Sequence, residues 1–342
     1  MPIRTGELEE HVVADVTWAA CTYSDWTGDR AFAEGPGREL LTETARYWAS
    51  RIRVDPAGRG HIDGVIGPDE YHESVDDNAF TNVMARWNLR RAASVAEAGT
   101  GERRSWLDAA DALVDGYDTE SGLYEQFDGF FDLEPLVVAD AVARPVAADA
   151  LFGRERVHAA QVVKQADVLM LHHLVPEETE PGSLERNLAF YEPRTAHGSS
   201  LSPGIHAALF ARARQLDRAV ELARLTSRID LDDITGTTAG GLHMAAMGSL
   251  WQALALGFGG LRPAGDSLAI DPRLPRQWRG LELRARFRGS RVRVRVERGG
   301  CTVWADPPVR IRLPFASAEE AVHAVPSGTR FDVSVDGGKE ET

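Results

Sequence analysis

From residue 7 to about residue 259, apolar residues recur at three- and four-residue steps, with polar residues, glycines and prolines punctuating the runs. This pattern predicts helices near 8–26, 37–53, 77–98, 102–115, 157–174, 183–191, 203–215, 217–229 and 241–256. Three longer connections interrupt it, at 56–76, 116–156 and 191–202, and such connections on a helical scaffold are where binding and catalytic side chains gather. After Leu261 the period changes to alternation. Leu281, Leu283, Ala285 and Phe287, then Val292, Val294 and Val296, are interleaved mostly with arginines, and Gly289-Ser290 between the runs predicts a tight hairpin turn. Further alternating runs at 309–313 and 331–335 suggest a small antiparallel sheet with one packed and one solvated face. The expected class is mainly α, with a helical part over residues 1–262 and a β-sheet part over 263–342 that ends in a frayed tail at 336–342.

The chain has 342 residues, of which 43% are hydrophobic and 26% charged. These proportions allow a sizeable core and exclude a disordered, collagen-like or disulfide-stapled chain. The net charge of −14 disfavours nucleic acid and anionic lipid as partners, so the arginines between the strand residues read as a solvated face. A small neutral substrate is indifferent to that sign. Cys21 and Cys301 stand far apart in differently patterned regions, which suggests neither a disulfide framework nor a CxxC metal or redox site; a reducing cytoplasm is the expected compartment. The first ten residues carry three glutamates and no apolar run, unlike a signal peptide. Residues 244–261 approach the length of a membrane span but hold four glycines with Ser249 and Gln252, which predicts a buried helix.

Four segments carry candidate chemistry. In the loop GVIGPDEYHE (64–73), Gly67-Pro68 forces a turn that presents Asp69 and Glu70 ahead of a helix capped by Asp76 or Asp77. Apolar neighbours such as Tyr71 would desolvate a carboxyl there and raise its pKa, as a general acid requires; taken alone, acidic loop residues are usually solvated. In YEPRTAHGSSLSP (191–203), Ser202 as N-cap and Pro203 at the first helical position mark a helix start. Its free amides, with Ser199, Ser200 and an imidazole beside them, are equipped to hold an anion, or else simply satisfy local backbone. Lys164 and Gln165 interrupt an apolar helical face, and a buried ammonium needs Asp167 or a bound oxyanion as partner. TTAGGLH (237–243) is a glycine-rich approach to the uncharged helix, with His243 at that helix's beginning as a structural or ligand-facing residue. No HxxxH or HxH pair, GxSxG elbow, Walker loop or dinucleotide fingerprint is present, so metal, triad and nucleotide chemistry are not supported.

Together, GPDEYHESVDDNAFTN (67–82), VVKQADV (162–168), FYEPRTAHGSSLSPGIHA (190–207) and TTAGGLHMAAMGSLWQALALGFGGLR (237–262) resemble glycoside hydrolase family 65, the family of maltose, trehalose and kojibiose phosphorylases and some hydrolases. The blocks occur in the family's order, and LAIDPRLPRQW (268–278) resembles its lead into the C-terminal sheet. The resemblance implies part of an (α/α)6 toroid followed by a small antiparallel β-sheet domain. It also implies an inverting phosphorolysis of an α-glucosyl disaccharide to β-glucose 1-phosphate, with disaccharide and inorganic phosphate as partners and no metal or organic cofactor. Glu70 matches the general acid, Lys164 and Gln165 the pair lining the sugar site, and Ser199, Ser200 and His243 the phosphate ligands. A hydrolase of the same family, with Glu192 as the nearest candidate base, and an inactive remnant are the alternatives. Family members are considerably longer, and their Trp-Asp-Thr-Glu type motif has no match here. The resemblance is therefore to their C-terminal half, and a complementing N-terminal half or a homodimer is the expected protein partner.

Overall fold

Helices form over most of the stretches where the apolar spacing places them: α1 (Val12–Thr27), α2 (Pro36–Arg51), α3 (Ala79–Val95), α4 (Thr100–Ala112), α5 (Val168–Leu174), α6 (Leu184–Tyr191), α7 (Ser202–Arg212), α8 (Leu216–Arg228) and α9 (Met244–Gln252). The computed structural model describes residues 4–95, 98–313, 322–327 and 330–334, and the expected tail at 336–342 lies outside them. The chain divides into two units. One comprises Met1–Cys21, Ala31–His206 and Thr235–Thr237; the other comprises Thr22–Arg30, Ala207–Ile234 and Thr238–Thr342.

Helix α3 is the core of the first unit. Phe80, Val83, Met84, Leu89 and Ala92 are all at most 1% exposed, because α2, α4 and α5 pack against the helix from different sides. Trp48 of α2 and Trp106 of α4 complete this packing and are equally buried. The helix starts on Asn78, whose Oδ1 accepts the Thr81 N–H at 2.9 Å and the Thr81 hydroxyl at 2.8 Å. The expected caps are used otherwise. Asp77, with φ of 51°, turns back to His61 (2.6 Å) and the Ile62 N–H, and Asp76 accepts the Gly64 N–H at 2.8 Å.

The helix expected over 157–174 is two pieces, Arg154–His158 and α5, separated by non-helical chain of turns, bends and two isolated bridges. Val162 and Val163 are fully buried β-branched residues, and Val163 forms a parallel bridge with Thr195. A short pair of buried β-branched residues fits a bridge as well as a helix, and here the pairing partner decides. Lys164 and Gln165 therefore sit in a bend and not on a helical face.

The second unit contains α8 packed on α9, which continues through a π-helical turn at Ala253–Phe258, followed by the strands. These are β1 (Leu261–Ala264), β2 (Ser267–Ile270), β3 (Gly280–Phe287), β4 (Ser290–Glu297), β5 (Gly300–Asp306), β6 (Val309–Arg312), β7 (Val322–Val325) and β8 (Arg330–Ser334). They form two four-stranded sheets, ordered β7-β6-β2-β1 and β8-β5-β4-β3, antiparallel throughout except for the parallel β6–β2 pair. The β3–β4 turn is Arg288-Gly289, one residue earlier than expected. Both have positive φ, 48° and 82°, as a two-residue turn between right-twisted strands requires. Val292, Val294, Val296, Cys301, Val303, Ile311 and Leu268 form the buried core, so Cys301 serves as a small apolar residue.

The opposite face of β3–β5 carries the arginines around an open concavity of about 1090 Å³. It is largely neutralised by its own carboxylates: Arg284 and Arg293 share Glu282, Arg291 meets Asp306, and Arg295 meets Glu297. This is the solvated strand face read from the sequence.

Asn78→Ala removes both the cap of α3 and a buried donor to Gln126 O (3.1 Å) and Asp167. The expected loss is about 2 kcal/mol or more of unfolding free energy, measured by urea denaturation; a change below about 0.5 kcal/mol would contradict the capping role.

Candidate active site

Three segments of the first unit converge: the loop 64–72, the non-helical stretch 160–167, and the connection 192–202. A bridge between Val65 and Val75 closes the first, and buried Ile66 anchors it. At Gly67 the backbone lies so close to Asp167 and Asn78 that an added Cβ would stand 2.3 Å from the Asp167 carboxylate, so only glycine allows this approach. Gly198 is constrained in the same way, by the Val146 carbonyl.

The turn after Gly67-Pro68 separates two neighbouring acids. The Asp69 side chain is fully buried. Its Oδ1 accepts the Lys164 N–H at 2.8 Å and the Tyr71 N–H at 3.4 Å, while Oδ2 takes Gln126 Nε2 and His72 Nδ1, each at 2.9 Å. The Glu70 side chain is about a third exposed, and its Oε1 meets the Lys164 ammonium. Gln165 donates to the Pro68 carbonyl at 2.7 Å and accepts the Ser199 hydroxyl at 2.5 Å. The Lys164–Gln165 dipeptide thus reaches the acid through one side chain and the serine loop through the next. Ser200 follows Ser199 in the turn before α7 and is partly exposed.

His72 lies between two acceptors, Asp69 Oδ2 and the Ala160 carbonyl at 3.0 Å, so its ring donates from both nitrogens. Burial alone would lower its pKa; the Asp69 hydrogen bond and charge, the Ala160 carbonyl and the Asp167 charge outweigh this and raise it. Phe127, Phe130 and His158 surround the ring. Asp167 is pushed up to about 7, by burial first and the Asp69 charge second, against donation from the Asp69 N–H and Asn78. Burial pulls the Lys164 ammonium down, opposed by Asp69 and Glu9.

Several expectations change here. Lys164 pairs with Glu70 and not with Asp167. Tyr71 packs instead in a cluster with Val138 and Val146, its hydroxyl accepting the Ala148 N–H and donating to Asp149, and the Glu70 carboxyl is left about a third exposed. Ser202 is the first residue within α7 and not its N-cap, and its hydroxyl lies 2.8 Å from His197 Nδ1. Glu192 is buried beside the guanidinium of Arg144 at 2.9 Å, with His197 Nε2 at 3.5 Å, so it is held in an ion pair. His243 belongs to the second unit, where it opens α9 as expected. Its Nδ1 lies 2.6 Å from Asp230 Oδ1 and its N–H donates to Oδ2 at 3.0 Å, and the imidazole holds the Asp230 carboxyl below its usual range. The buried network joining Asp69, His72, Gln126 and Asp167 escaped the sequence reading. The i, i+3 spacing of Asp69 and His72 next to Glu70 was the available signal. Among the described residues, no cluster of three or more His, Cys, Asp or Glu is placed to hold a metal ion, and no helix is long and apolar enough to cross a membrane.

Residues 1–252 match the model of the glycosyl hydrolase family 65 central catalytic domain, and residues 261–314 match that family's C-terminal domain. The chain belongs to glycosyl hydrolase family 65. Family 65 relatives include a kojibiose phosphorylase of Halothermothrix orenii, 35% identical and matched over 86% of this chain and 40% of that protein. A 1,2-alpha-glucosylglycerol phosphorylase of Bacillus selenitireducens is 36% identical over 86% of this chain and 42% of its own length. A solved structure described as a putative kojibiose phosphorylase from human microbiome aligns with a TM-score of 0.84 at 25% identity, over 96% of this chain and 50% of that one. The chain thus spans about 40% of the length of the curated family 65 relatives it matches. Its mainly helical architecture with small antiparallel sheets is that of the family.

Asp167 gives this family 65 site a signature in stability. A carboxyl whose folded pKa lies above its unfolded value binds its proton more tightly when native. Its contribution is therefore full below about pH 4 and is lost as pH rises through about 7. His72 adds a loss of the same sign, beginning near the ordinary histidine pKa and ending above it. Urea unfolding at pH 5 and pH 7.5 is expected to show a smaller decline for Asp167→Asn, which mimics the protonated form, than for the parent; equal declines would contradict the assignment.

Proposed function

We propose that the chain carries the acid and part of the phosphate cradle of an inverting α-glucoside phosphorylase. The observation that carries this reading is that the Glu70 carboxyl and the Ser199 hydroxyl are both held by the adjacent side chains of Lys164 and Gln165. Glu70 donates its proton to the glycosidic oxygen, the C1–O bond breaks, and a phosphate oxygen forms the new bond to C1 from the opposite face, giving β-glucose 1-phosphate and the free acceptor. An inverting hydrolase needs a second carboxylate to activate water, whereas phosphate arrives as an anion and needs only to be bound and aimed. Lys164 and Gln165 line the sugar, and Ser199 and Ser200 hold phosphate. For His243, in the second unit, the phosphate-binding role rests on the family resemblance alone.

The named relatives support an α-1,2-linked glucoside of the kojibiose type as the first substrate to test, ahead of maltose and trehalose.

Glucose 1-phosphate release from kojibiose, maltose and trehalose, measured with and without phosphate, is expected to require phosphate. Glu70→Gln is expected to lower turnover by about a hundredfold or more while phosphate binding, measured by calorimetry, changes little. Turnover that ignores phosphate, or survives this substitution, would overturn the reading.

A further inference from the structure

We propose that Asp69 is a positioning residue, which together with His72 fixes both ends of the Glu70–Lys164 contact from beneath; the inference rests on the reading of Glu70 as the acid. Asp69 is joined to Glu70 by one peptide bond, and its Oδ1 holds the backbone N–H of Lys164 at 2.8 Å. The two side chains that meet therefore spring from backbones tied to one carboxylate. Its Oδ2 fastens Gln126 and His72, and His72 continues to the Ala160 carbonyl, at the head of the stretch that carries Lys164. Around the His72 ring stand Phe127, Phe130, His158 and the second buried acid, Asp167. Among the charged groups there, Asp69 is the one in direct hydrogen-bond contact with the ring.

The chemistry of the site demands a carboxylate. Each oxygen of Asp69 faces two donors: the Lys164 and Tyr71 amides at Oδ1, the His72 ring and the Gln126 amide at Oδ2. In Asp69→Asn the NH2 group can be met only on the Oδ2 side, and only if His72 gives up its Nδ1 proton and Gln126 turns its amide over, so the charged tie through His72 is lost. The hold of the loop on the 160–165 stretch is then loosened. A displacement of about 1 Å at the acid costs on the order of a hundredfold in rate, but only where the reaction depends on proton donation.

The test compares kojibiose, whose sugar leaving group needs the proton, with α-glucosyl fluoride, whose leaving group needs far less help; both are assayed with phosphate as nucleophile. Asp69→Asn is expected to lower kcat on kojibiose by about a hundredfold, with KM changed less than about threefold and kcat on the fluoride within about fivefold. His72→Gln, which keeps a neutral donor, is expected to show the same asymmetry at about tenfold. Independently of turnover, ring nitrogen NMR on the folded chain is expected to show His72 doubly protonated at pH 7 in the parent and not in Asp69→Asn. Equal losses on both substrates, or an unchanged His72 spectrum in a folded Asp69→Asn, would reduce Asp69 to a structural residue and overturn the proposal. If Glu70→Gln itself shows no asymmetry between the two substrates, the acid assignment fails and this inference falls with it. Asymmetry in Glu70→Gln without asymmetry in Asp69→Asn leaves the acid in place and overturns the positioning role alone.

Discussion

A fully buried carboxylate persists only if donors surround it, and the Asp69 side chain has four, drawn from its own loop, from Gln126 and from Lys164. Most of the geometry of the first unit's site follows from that requirement. Loop 64–72 must fold down onto the stretch ending at Lys164, Gly67 must lack a side chain so that the backbone can reach Asp167, and His72 must place a ring nitrogen against Oδ2. The neighbouring residue, Glu70, is left at the mouth of this arrangement with a third of its side chain exposed. One peptide bond separates a residue that builds the site from one left partly exposed at its edge.

The second buried acid is handled differently. Asp167 receives the Asp69 N–H and the Asn78 side chain, which do not cancel burial and the neighbouring charge, so its carboxyl moves toward neutrality. Two carboxyls in one dry region thereby avoid two full charges, one paired with imidazolium and the other able to hold a proton near pH 7. Asn78 links this network to the scaffold. The same side chain caps α3, a helix buried along most of its length, and holds Asp167, so the stability of the core and the position of the acidic loop are coupled through one amide.

The sequence made the helical spacing, the change to alternation after Leu261 and the site segments legible, since each depends on residues close together in the chain. Glu70, Lys164, Gln165 and Ser199 do meet in the first unit, and His243 does open α9. What escaped depends on partners distant in sequence. Val162 and Val163 are extended because Thr195 is there to pair with, a contact no local pattern announces. Asp77 fails to cap because His61 claims it, and Lys164 is not matched to the nearby Asp167 because Asn78 and the Asp69 amide already occupy that carboxylate. In each case the nearer partner in sequence lost to a better-placed donor or acceptor from another segment.

The ion pairs also bear on the choice between water and phosphate as nucleophile. A general base must be free to take a proton, and Glu192, the nearest acid in the serine-bearing connection, is committed to Arg144, whose guanidinium also holds the Glu192 and Thr195 carbonyls. Freeing it would leave that guanidinium buried with no carboxylate partner there and release the connection that presents Ser199. The Glu192–Arg144 pair thus holds together the connection that presents Ser199. Under the proposed reading this follows from the nucleophile's own charge: a bound oxyanion requires fixed donors more than a base, and rigidity in the serine loop is worth more than a second carboxyl at the reacting carbon.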